Sequence, residues 1–330
     1  MLKKHLYGLL ISGLFLGETI QPSVTTPQGR SVSGQIASKP RFKNKSNASK
    51  SAVKGHHSNM RLIEADVANA VSRANSHARN LGTTTGLGLI DQSVVENIQR
   101  GILDITFNPT GTPPGTKTTS IGVADSGAYG VAIDSDGNIV VAGYSYNGTY
   151  NEFAIARYTS AGILDNSFGT AGITTTAIGS GNSGAYGITI DSDGKIVLAG
   201  YYNNESNYLF AVARYTSDGD LDTSFGTAGI TTTQIGSGDS GAFGVRIDSD
   251  GNIVVVGYSY NGPNYLFAVA RYTSAGILDT DFGTAGITTT QIGSGNSGAF
   301  GVTIDSDGNI VLVGSLYNGS NYLFAVARYT

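Results

Sequence analysis

Four copies of the turn sequence Asp-Ser-Asp-Gly carry the side chains that could bind a metal ion. Alternate carboxylates in such a turn can converge on a hard cation such as calcium. No glutamate follows at the spacing that completes an EF-hand loop, and Lys195 occupies the last turn position in the second copy. Asp and Asn also close tight hairpins by bonding to their own backbone. We therefore expect structural turns and no cofactor, with calcium as the alternative. The carboxylates concerned are Asp134, Asp136, Asp191, Asp193, Asp248, Asp250, Asp305 and Asp307.

A second repeated set of charges is an arginine followed eight residues later by an aspartate. Arginine alternates with large apolar residues along its predicted strand, so it shares their covered face. It then needs a fixed acceptor, because an unpaired buried charge is unfavourable. The pair includes no nucleophile and no group that transfers protons near neutral pH. We predict structural ion pairs and no catalytic residue. The pairs are Arg157 with Asp165, Arg214 with Asp222, and Arg271 with Asp279.

The composition excludes several functional classes from the repeats. The chain has no cysteine, and its four histidines all precede residue 101. Ser-His-Asp and Cys-His catalysis and the usual zinc sites are therefore excluded there, and we expect no enzyme. Residues 101–330 contain 7 Lys and Arg against 19 Asp and Glu, whereas residues 1–100 contain 13 against 5. Because the acidic repeats would repel phosphates, we expect no nucleic-acid partner.

Tyrosines are the residues best suited to recognising a ligand. Seventeen of the eighteen lie in the repeats, several of them beside asparagines at one hairpin. A tyrosine combines stacking area with a hydroxyl, which suits sugar or protein recognition. We take Tyr146, Tyr202, Tyr260 and Tyr317 as candidate ligand contacts, and strand-end packing is the alternative. Contacts repeated in each unit would make binding multivalent.

All of these residues are positioned by a repeat with a period of 57 residues. The Asp-Ser-Asp-Gly turns and the Ala-Arg-Tyr-Thr runs both recur at this spacing, and residues 207–216, 264–273 and 321–330 are identical. Fixed-period similarity indicates one supersecondary unit stacked on its neighbours. The repeats are 101–161, 162–218, 219–275 and 276–330, and the first has four extra residues between Pro109 and Lys117.

Each repeat predicts four short strands separated by Gly, Asn and Asp turns. In the repeat 219–275 the strands are Ile230–Ile235, Phe243–Ile247, Ile253–Tyr258 and Leu266–Tyr272. Their central runs lack polar alternation, so we expect sheets covered on both faces. Such sheets, stacked by radial repetition, form an all-β propeller. A β-solenoid is the rival fold, but its coils repeat at shorter periods.

Three blocks of each repeat resemble those of a known family. The blocks are Ile-Asp-Ser-Asp-Gly-Asn-Ile-Val-Val-Val-Gly, Phe-Ala-Val-Ala-Arg-Tyr-Thr and Gly-Ile-Leu-Asp-Thr-Asp-Phe-Gly-Thr-Ala-Gly. In this order they resemble the delta-60 repeat of bacterial proteins classed as a β-propeller domain of unknown function. The resemblance covers about residues 101–330. It implies a propeller on an exported or surface protein, and it implies no activity.

The two ends of the repeat array predict how the propeller closes. Asp104 has no arginine eight residues before it, and Arg328 has no aspartate eight residues after it. We predict a closed four-bladed ring in which Arg328 contacts Asp104 and the Thr-rich strand at 117–121 completes the last blade. An open arc is the alternative.

The segment before the repeats predicts export. Lys3 and Lys4 precede the apolar stretch Leu6–Leu16, which is typical of a signal peptide and too short to span a bilayer. We assign 1–17 to a signal peptide, 18–58 to a disordered basic linker and 59–100 to a short helical segment. The expected location is the periplasm, the cell surface or the medium.

These observations favour an exported, non-enzymatic binding or adhesion module for a glycan or a protein. A structural subunit of a surface assembly and a calcium-dependent surface protein are the alternatives. The sequence does not specify the oligomeric state.

Overall fold

The computed structural model describes residues 102–330. The predicted signal peptide, linker and helical segment, at 1–17, 18–58 and 59–100, lie outside the described residues. The described part is an all-β array of repeated antiparallel sheets, as the sequence predicts.

Fifteen strands in the described residues form four sheets, in which neighbouring strands are consecutive along the chain. The first sheet is β1 (Ser126–Ile133), β2 (Ile139–Tyr146), β3 (Asn151–Tyr158) and β4 (Ile173–Thr176). The second is β5 (Ser183–Ile190), β6 (Ile196–Asn203), β7 (Tyr208–Tyr215) and β8 (Ile230–Thr233). The third is β9 (Ser240–Ile247), β10 (Ile253–Tyr260), β11 (Tyr265–Tyr272) and β12 (Ile287–Thr290). The fourth has three strands, β13 (Ser297–Ile304), β14 (Ile310–Tyr317) and β15 (Tyr322–Tyr329).

Each of the first three sheets takes its last strand from the following repeat. β8 pairs with β7, with Phe210 opposite Thr233, and the same arrangement joins β12 to β11. The repeat 219–275 therefore supplies the fourth strand of one sheet and the first three strands of the next. Sheet boundaries are thus offset from the repeat boundaries drawn on the sequence, and backbone pairing within each of the first three sheets links two consecutive repeats.

The cores lie between successive sheets. Side chains of β7 alternate between two of these cores, since Ala211, Ala213 and Tyr215 face the first sheet whereas Phe210 and Val212 face the third. All five are fully buried, which explains why the central runs lack polar alternation. The first strands of the sheets, β1, β5, β9 and β13, pack side by side and form the inner edge of the array.

The predicted closure of the ring is wrong for the described residues. Arg328 lies 4.0 Å from Asp305 and forms no ion pair with Asp104, whose carboxylate accepts hydrogen bonds from Thr106. Phe324 in β15 is fully exposed, whereas its equivalent Phe267 in β11 is fully buried. The three joints between the sheets leave the first and last sheets unpaired with each other, so the array is the open arc.

Candidate functional site

The inner edge of the array carries an aromatic residue at one β-bulge in each sheet. At each bulge the pairing of the first and second strands skips one residue, so that residue has no partner on the second strand. The skipped residues are Tyr129, Tyr186, Phe243 and Phe300, spaced 57 residues apart. We call these four residues the inner row.

Rings of the inner row contact one another across all three joints. The ring centroids are 4.8 Å apart between Tyr129 and Tyr186, 5.1 Å between Tyr186 and Phe243, and 5.2 Å between Phe243 and Phe300. These spacings lie in the range of favourable aromatic pairs. Tyr129 is 50% exposed and Phe300 is 42% exposed, so both ends of the row are open to solvent. The row is therefore one continuous aromatic surface that spans four sheets.

Tyrosines of the second and third strands widen this surface. Tyr144, Tyr201 and Tyr258 lie 5.9, 5.8 and 5.7 Å from the row residues of their own sheets. Tyr201 and Tyr258 in turn contact Tyr208 and Tyr265 at 5.5 and 5.3 Å. The fourth sheet has Ser315 in place of the second-strand tyrosine, so the surface narrows there.

Burial raises the pKa of three tyrosine hydroxyls of this surface above its ordinary value. It raises the pKa of Tyr201 to about 12, and the neighbouring Tyr208 adds to that shift. Burial also raises the pKa of Tyr186, with a contribution from Tyr201, and the pKa of Tyr129, with a contribution from Tyr144. At neutral pH these hydroxyls are therefore uncharged and can both donate and accept hydrogen bonds.

The tyrosines chosen from the sequence do not form one equivalent set. Tyr146, Tyr260 and Tyr317 end the second strands of their sheets, and the hydroxyls of Tyr146 and Tyr317 donate to the carbonyls of Gly148 and Gly319. Tyr202 falls one residue earlier in its strand, where Asn203 takes the equivalent position, so it points to the opposite face of its sheet.

The inner row was missed by sequence reasoning, although a signal for it is present. An aromatic residue recurs every 57 residues between small residues, in Gly-Ala-Tyr-Gly twice and Gly-Ala-Phe-Gly twice. A bulge disturbs the two-residue alternation of a strand, so alternation alone could not show which face these rings occupy.

The predicted arginine–aspartate pairs join the sheets. The Nε to Oδ2 distances are 2.7, 2.9 and 2.6 Å for Arg157–Asp165, Arg214–Asp222 and Arg271–Asp279. Each of these guanidinium groups lies 4.8 Å from a phenylalanine ring, namely that of Phe168, Phe225 or Phe282. Arg157 Nη1 also donates to the carbonyl of Ser217 at 2.7 Å, and Arg214 Nη1 donates to that of Ser274. These two Arg–Asp pairs therefore act as clamps that also contact the sheet that follows.

A hydroxyl next to the aspartate strengthens the second of these clamps. The Ser224 hydroxyl donates to Asp222 Oδ1 at 2.6 Å and holds the pKa of Asp222 below its usual value. Lys195 and Arg214 act in the same direction, and Lys195 Nζ lies 3.3 Å from the carboxylate. The arginines and aspartates are thus held by one another and, in the first two pairs, by neighbouring serine hydroxyls and carbonyls.

The Asp-Ser-Asp-Gly turns bind their own backbone. Asp134 Oδ1 accepts from the amides of Asp136 and Asn138 at 3.0 and 2.8 Å, and Oδ2 accepts from Asn138 Nδ2 at 3.0 Å. The turns at Asp191, Asp248 and Asp305 repeat the amide contacts. The second carboxylates, Asp136, Asp193, Asp250 and Asp307, are exposed.

Two other features are absent from residues 102–330. No group of three or more His, Cys, Asp or Glu side chains there is arranged to hold a metal ion. The same part of the chain contains no helix of the length and apolarity needed to cross a membrane.

Comparison with known families identifies the repeats. Residues 135–168, 192–225 and 249–282 match the family model described as "Domain of unknown function (DUF5122) beta-propeller". No curated protein matches the chain. Each matched segment begins in the Asp-Ser-Asp-Gly turn and includes the second and third strands of its sheet. It ends at the phenylalanine whose ring contacts the arginine, which is Phe168, Phe225 or Phe282.

Solved structures are similar to the chain at low identity. A Bacteroides caccae protein of unknown function has 11% identity and a TM-score of 0.35, with 63% of this chain and 62% of that one covered. An inactive virginiamycin B lyase from Staphylococcus aureus has 16% identity, coverage of 62% and 58%, and a TM-score of 0.34. A fucose lectin from Kordia zhangzhouensis has 16% identity, coverage of 50% and 99%, and a TM-score of 0.27. The chain thus spans less than two thirds of the first two proteins.

Proposed function

We propose that this chain, which carries DUF5122 β-propeller repeats, is an exported, non-enzymatic protein that binds a glycan along the inner row. The observation that carries the proposal is the continuity of the row. Four rings contact one another at 4.8 to 5.2 Å across every joint, and the rings at both ends are exposed. Aromatic rings that only pack a core are buried, whereas the rings at the two ends of this row are partly exposed to solvent.

The chemistry of the row suits a carbohydrate. Sugars present apolar C–H faces beside hydroxyls, and a tyrosine offers an apolar ring beside a hydroxyl of its own. A tyrosine hydroxyl is uncharged at neutral pH, so those of Tyr129, Tyr186 and Tyr201 can both donate and accept hydrogen bonds. Because equivalent rings recur in each sheet, a polymer with repeating units would contact several sheets at once and gain avidity.

Export is the second part of the proposal. It rests on Lys3, Lys4 and the apolar stretch Leu6–Leu16. Fractionation of cells that express the full chain should place a shortened product outside the cytoplasm. A full-length cytoplasmic product would contradict export and would leave glycan binding to be judged separately.

A glycan array probed with the full chain tests the binding proposal. The informative variant is Tyr129→Phe combined with Tyr186→Phe, because the third and fourth sheets already have phenylalanine at this position. Loss of two ligand hydrogen bonds should weaken binding roughly tenfold. The matched control is Tyr329→Phe, since the Tyr329 hydroxyl donates to Thr290 at 3.0 Å in the joint between the third and fourth sheets.

Two results would contradict the binding proposal. One is an array on which the folded wild-type protein retains no glycan. The other is glycan binding that the row variant and the control variant weaken equally. If the wild-type protein binds a protein ligand and the row variant does not, the inner row is still the binding site, but its ligand is a protein.

A further inference from the structure

The first and last sheets expose faces that are buried at every joint between sheets. On the fourth sheet Phe324 is fully exposed and Val326 is 65% exposed, whereas Phe267 and Val269, their equivalents in β11, are 0% exposed. On the first sheet Val131 is 64% exposed, whereas its equivalents Ile188 and Val245 are buried. Each end therefore presents one apolar half of a joint.

Residues 104–119 form the end of a sheet that lacks its other strands. The Tyr158 hydroxyl donates to Thr119 at 2.8 Å, as Tyr215 does to Thr176 and Tyr272 does to Thr233. The Asn108 amide donates to the Ala161 carbonyl at 2.8 Å, as Gly169 does to Asp218. Thr119 thus occupies the place of a fourth-strand threonine, and residues 116–119 have no third strand to pair with among the described residues.

β15 is the counterpart that this end lacks. It is an edge strand of the fourth sheet in the described residues, whereas β3, β7 and β11 each pair with a fourth strand. Arg328 at its end is 4.0 Å from the nearest aspartate, compared with 2.6 to 2.9 Å in the three formed pairs. Asp104 has the hydroxyl partner typical of these pairs, Thr106, and has no arginine.

We propose that a second copy of this chain joins the two ends head to tail. Residues 116–119 of one copy pair with β15 of the other, with Phe324 opposite Thr119, because the same register places Phe267 opposite Thr290. The exposed faces of the fourth and first sheets then pack together, and Arg328 meets Asp104 across the joint. Burial of Phe324 and Val326 provides the driving force, and strand addition to an exposed edge gives the register.

A second copy fits better than the other end of the same chain. Both ends belong to the described structure, yet Phe324 and Val131 remain exposed in it. Each of the three existing joints contains the same hydrogen bond from a Tyr hydroxyl to a Thr hydroxyl, at 2.8, 2.8 and 3.0 Å. The joints are therefore formed alike, and none of them is widened in a way that would bring the two ends of one chain together. A head-to-tail contact is heterologous, because each copy uses its first sheet for one neighbour and its fourth sheet for another. The assembly is therefore a closed ring or an open filament.

Charge reversal in separate chains tests this joint. Asp104→Arg and Arg328→Asp change exposed residues, so both variants should fold. Sedimentation of the wild-type full chain should show dimers or larger species, and each variant alone should shift toward monomer. A mixture of the two variants restores an opposite-charge pair at every joint, so mixing should restore the assembly. Closure within one chain would not respond to mixing.

A cross-link reports the register independently. The chain has no cysteine, so Lys117→Cys and Val326→Cys introduce single thiols at exposed positions that the register of Val269 and Thr288 places opposite each other. Mixed under mild oxidant, these variants should give a covalent dimer, whereas Lys117→Cys mixed with Ser306→Cys, an exposed turn position, should not. Four results would each overturn the proposal. They are a monomeric wild type, an assembly that is insensitive to charge reversal, a mixture of variants that fails to reassemble, and absence of the specific cross-link.

Discussion

At the scale of single residues, a glycine opposite each bulge brings two strands closer than any side chain permits. A Cβ on Gly314 would lie 2.0 Å from the carbonyl oxygen of Gly298, and the equivalent distance at Gly200 is also 2.0 Å. The bulged strand β13 therefore approaches Gly314 at a point where no side chain intervenes. This close approach places the ring of Phe300 on the inner edge. Glycine is required here for close approach of the backbones.

Gly314→Ala tests this requirement. The new methyl group would overlap a backbone atom that cannot rotate away, so the free energy of unfolding should fall by about 2 kcal/mol or more. Gly298→Ala is the matched control, because a Cβ there meets only Tyr258 at an ordinary 3.6 Å, and it should change stability by less than about 0.5 kcal/mol. Urea unfolding measures both variants, and equal losses would count against the close approach.

Alkaline titration tests the burial of Tyr201, which contacts Tyr186 of the inner row. Tyr201 has its pKa raised from 10.0 to about 12, so the folded state favours the neutral hydroxyl. The corresponding stability is fully present below about pH 10 and is lost as pH rises toward about 12. Absorbance at about 295 nm should show Tyr201 ionising with unfolding, and Tyr201→Phe should remove its share of the alkaline loss. Ionisation of every tyrosine near pH 10 in the folded protein would contradict the burial.

At the scale of elements, the turns and strands follow from local chemistry whereas their pairing does not. The strand that was predicted as Ile253–Tyr258 is Ile253–Tyr260, because Ser259 and Tyr260 also pair with β11 before the Asn-Gly turn. The Thr-rich strand that was predicted as Ile230–Ile235 is Ile230–Thr233, and its partner β7 lies in the preceding repeat. A periodic sequence gives no information on which neighbour a strand joins, since shifting the sheet boundary by one strand leaves the pattern unchanged.

The Asp-Ser-Asp-Gly turns should be stable without calcium. The carboxylate of each first aspartate already accepts bonds from two amides of its own turn, and Lys195 places a cation in the second one. Thermal melts in calcium and in chelator should therefore agree within a few degrees. Stabilisation by tens of degrees in calcium would show that the turns bind the ion, because a ligand specific for the folded state raises the melting temperature.

At the scale of the whole described array, one joint is built three times and left open at both ends. Its Arg–Asp pairs could be predicted from an eight-residue spacing, because both partners lie close together in the sequence on either side of a repeat boundary. The predicted Arg328–Asp104 contact was wrong because it depends on the angle between sheets, which packing at Phe210 and its equivalents sets and local sequence does not reveal. The inner row depends on the same angle, since its rings meet only when adjacent sheets hold their first strands side by side.

Tyrosine emission measured during titration with the best-bound array glycan tests the central claim that the inner row is the binding surface. The chain has no tryptophan, so its tyrosines dominate the signal. The full chain should show a saturable change in emission, and the combined Tyr129→Phe and Tyr186→Phe variant should show a smaller change at roughly tenfold higher glycan concentration. Tight binding with unchanged emission, and with the same affinity in the variant, would place the glycan elsewhere and contradict the claim.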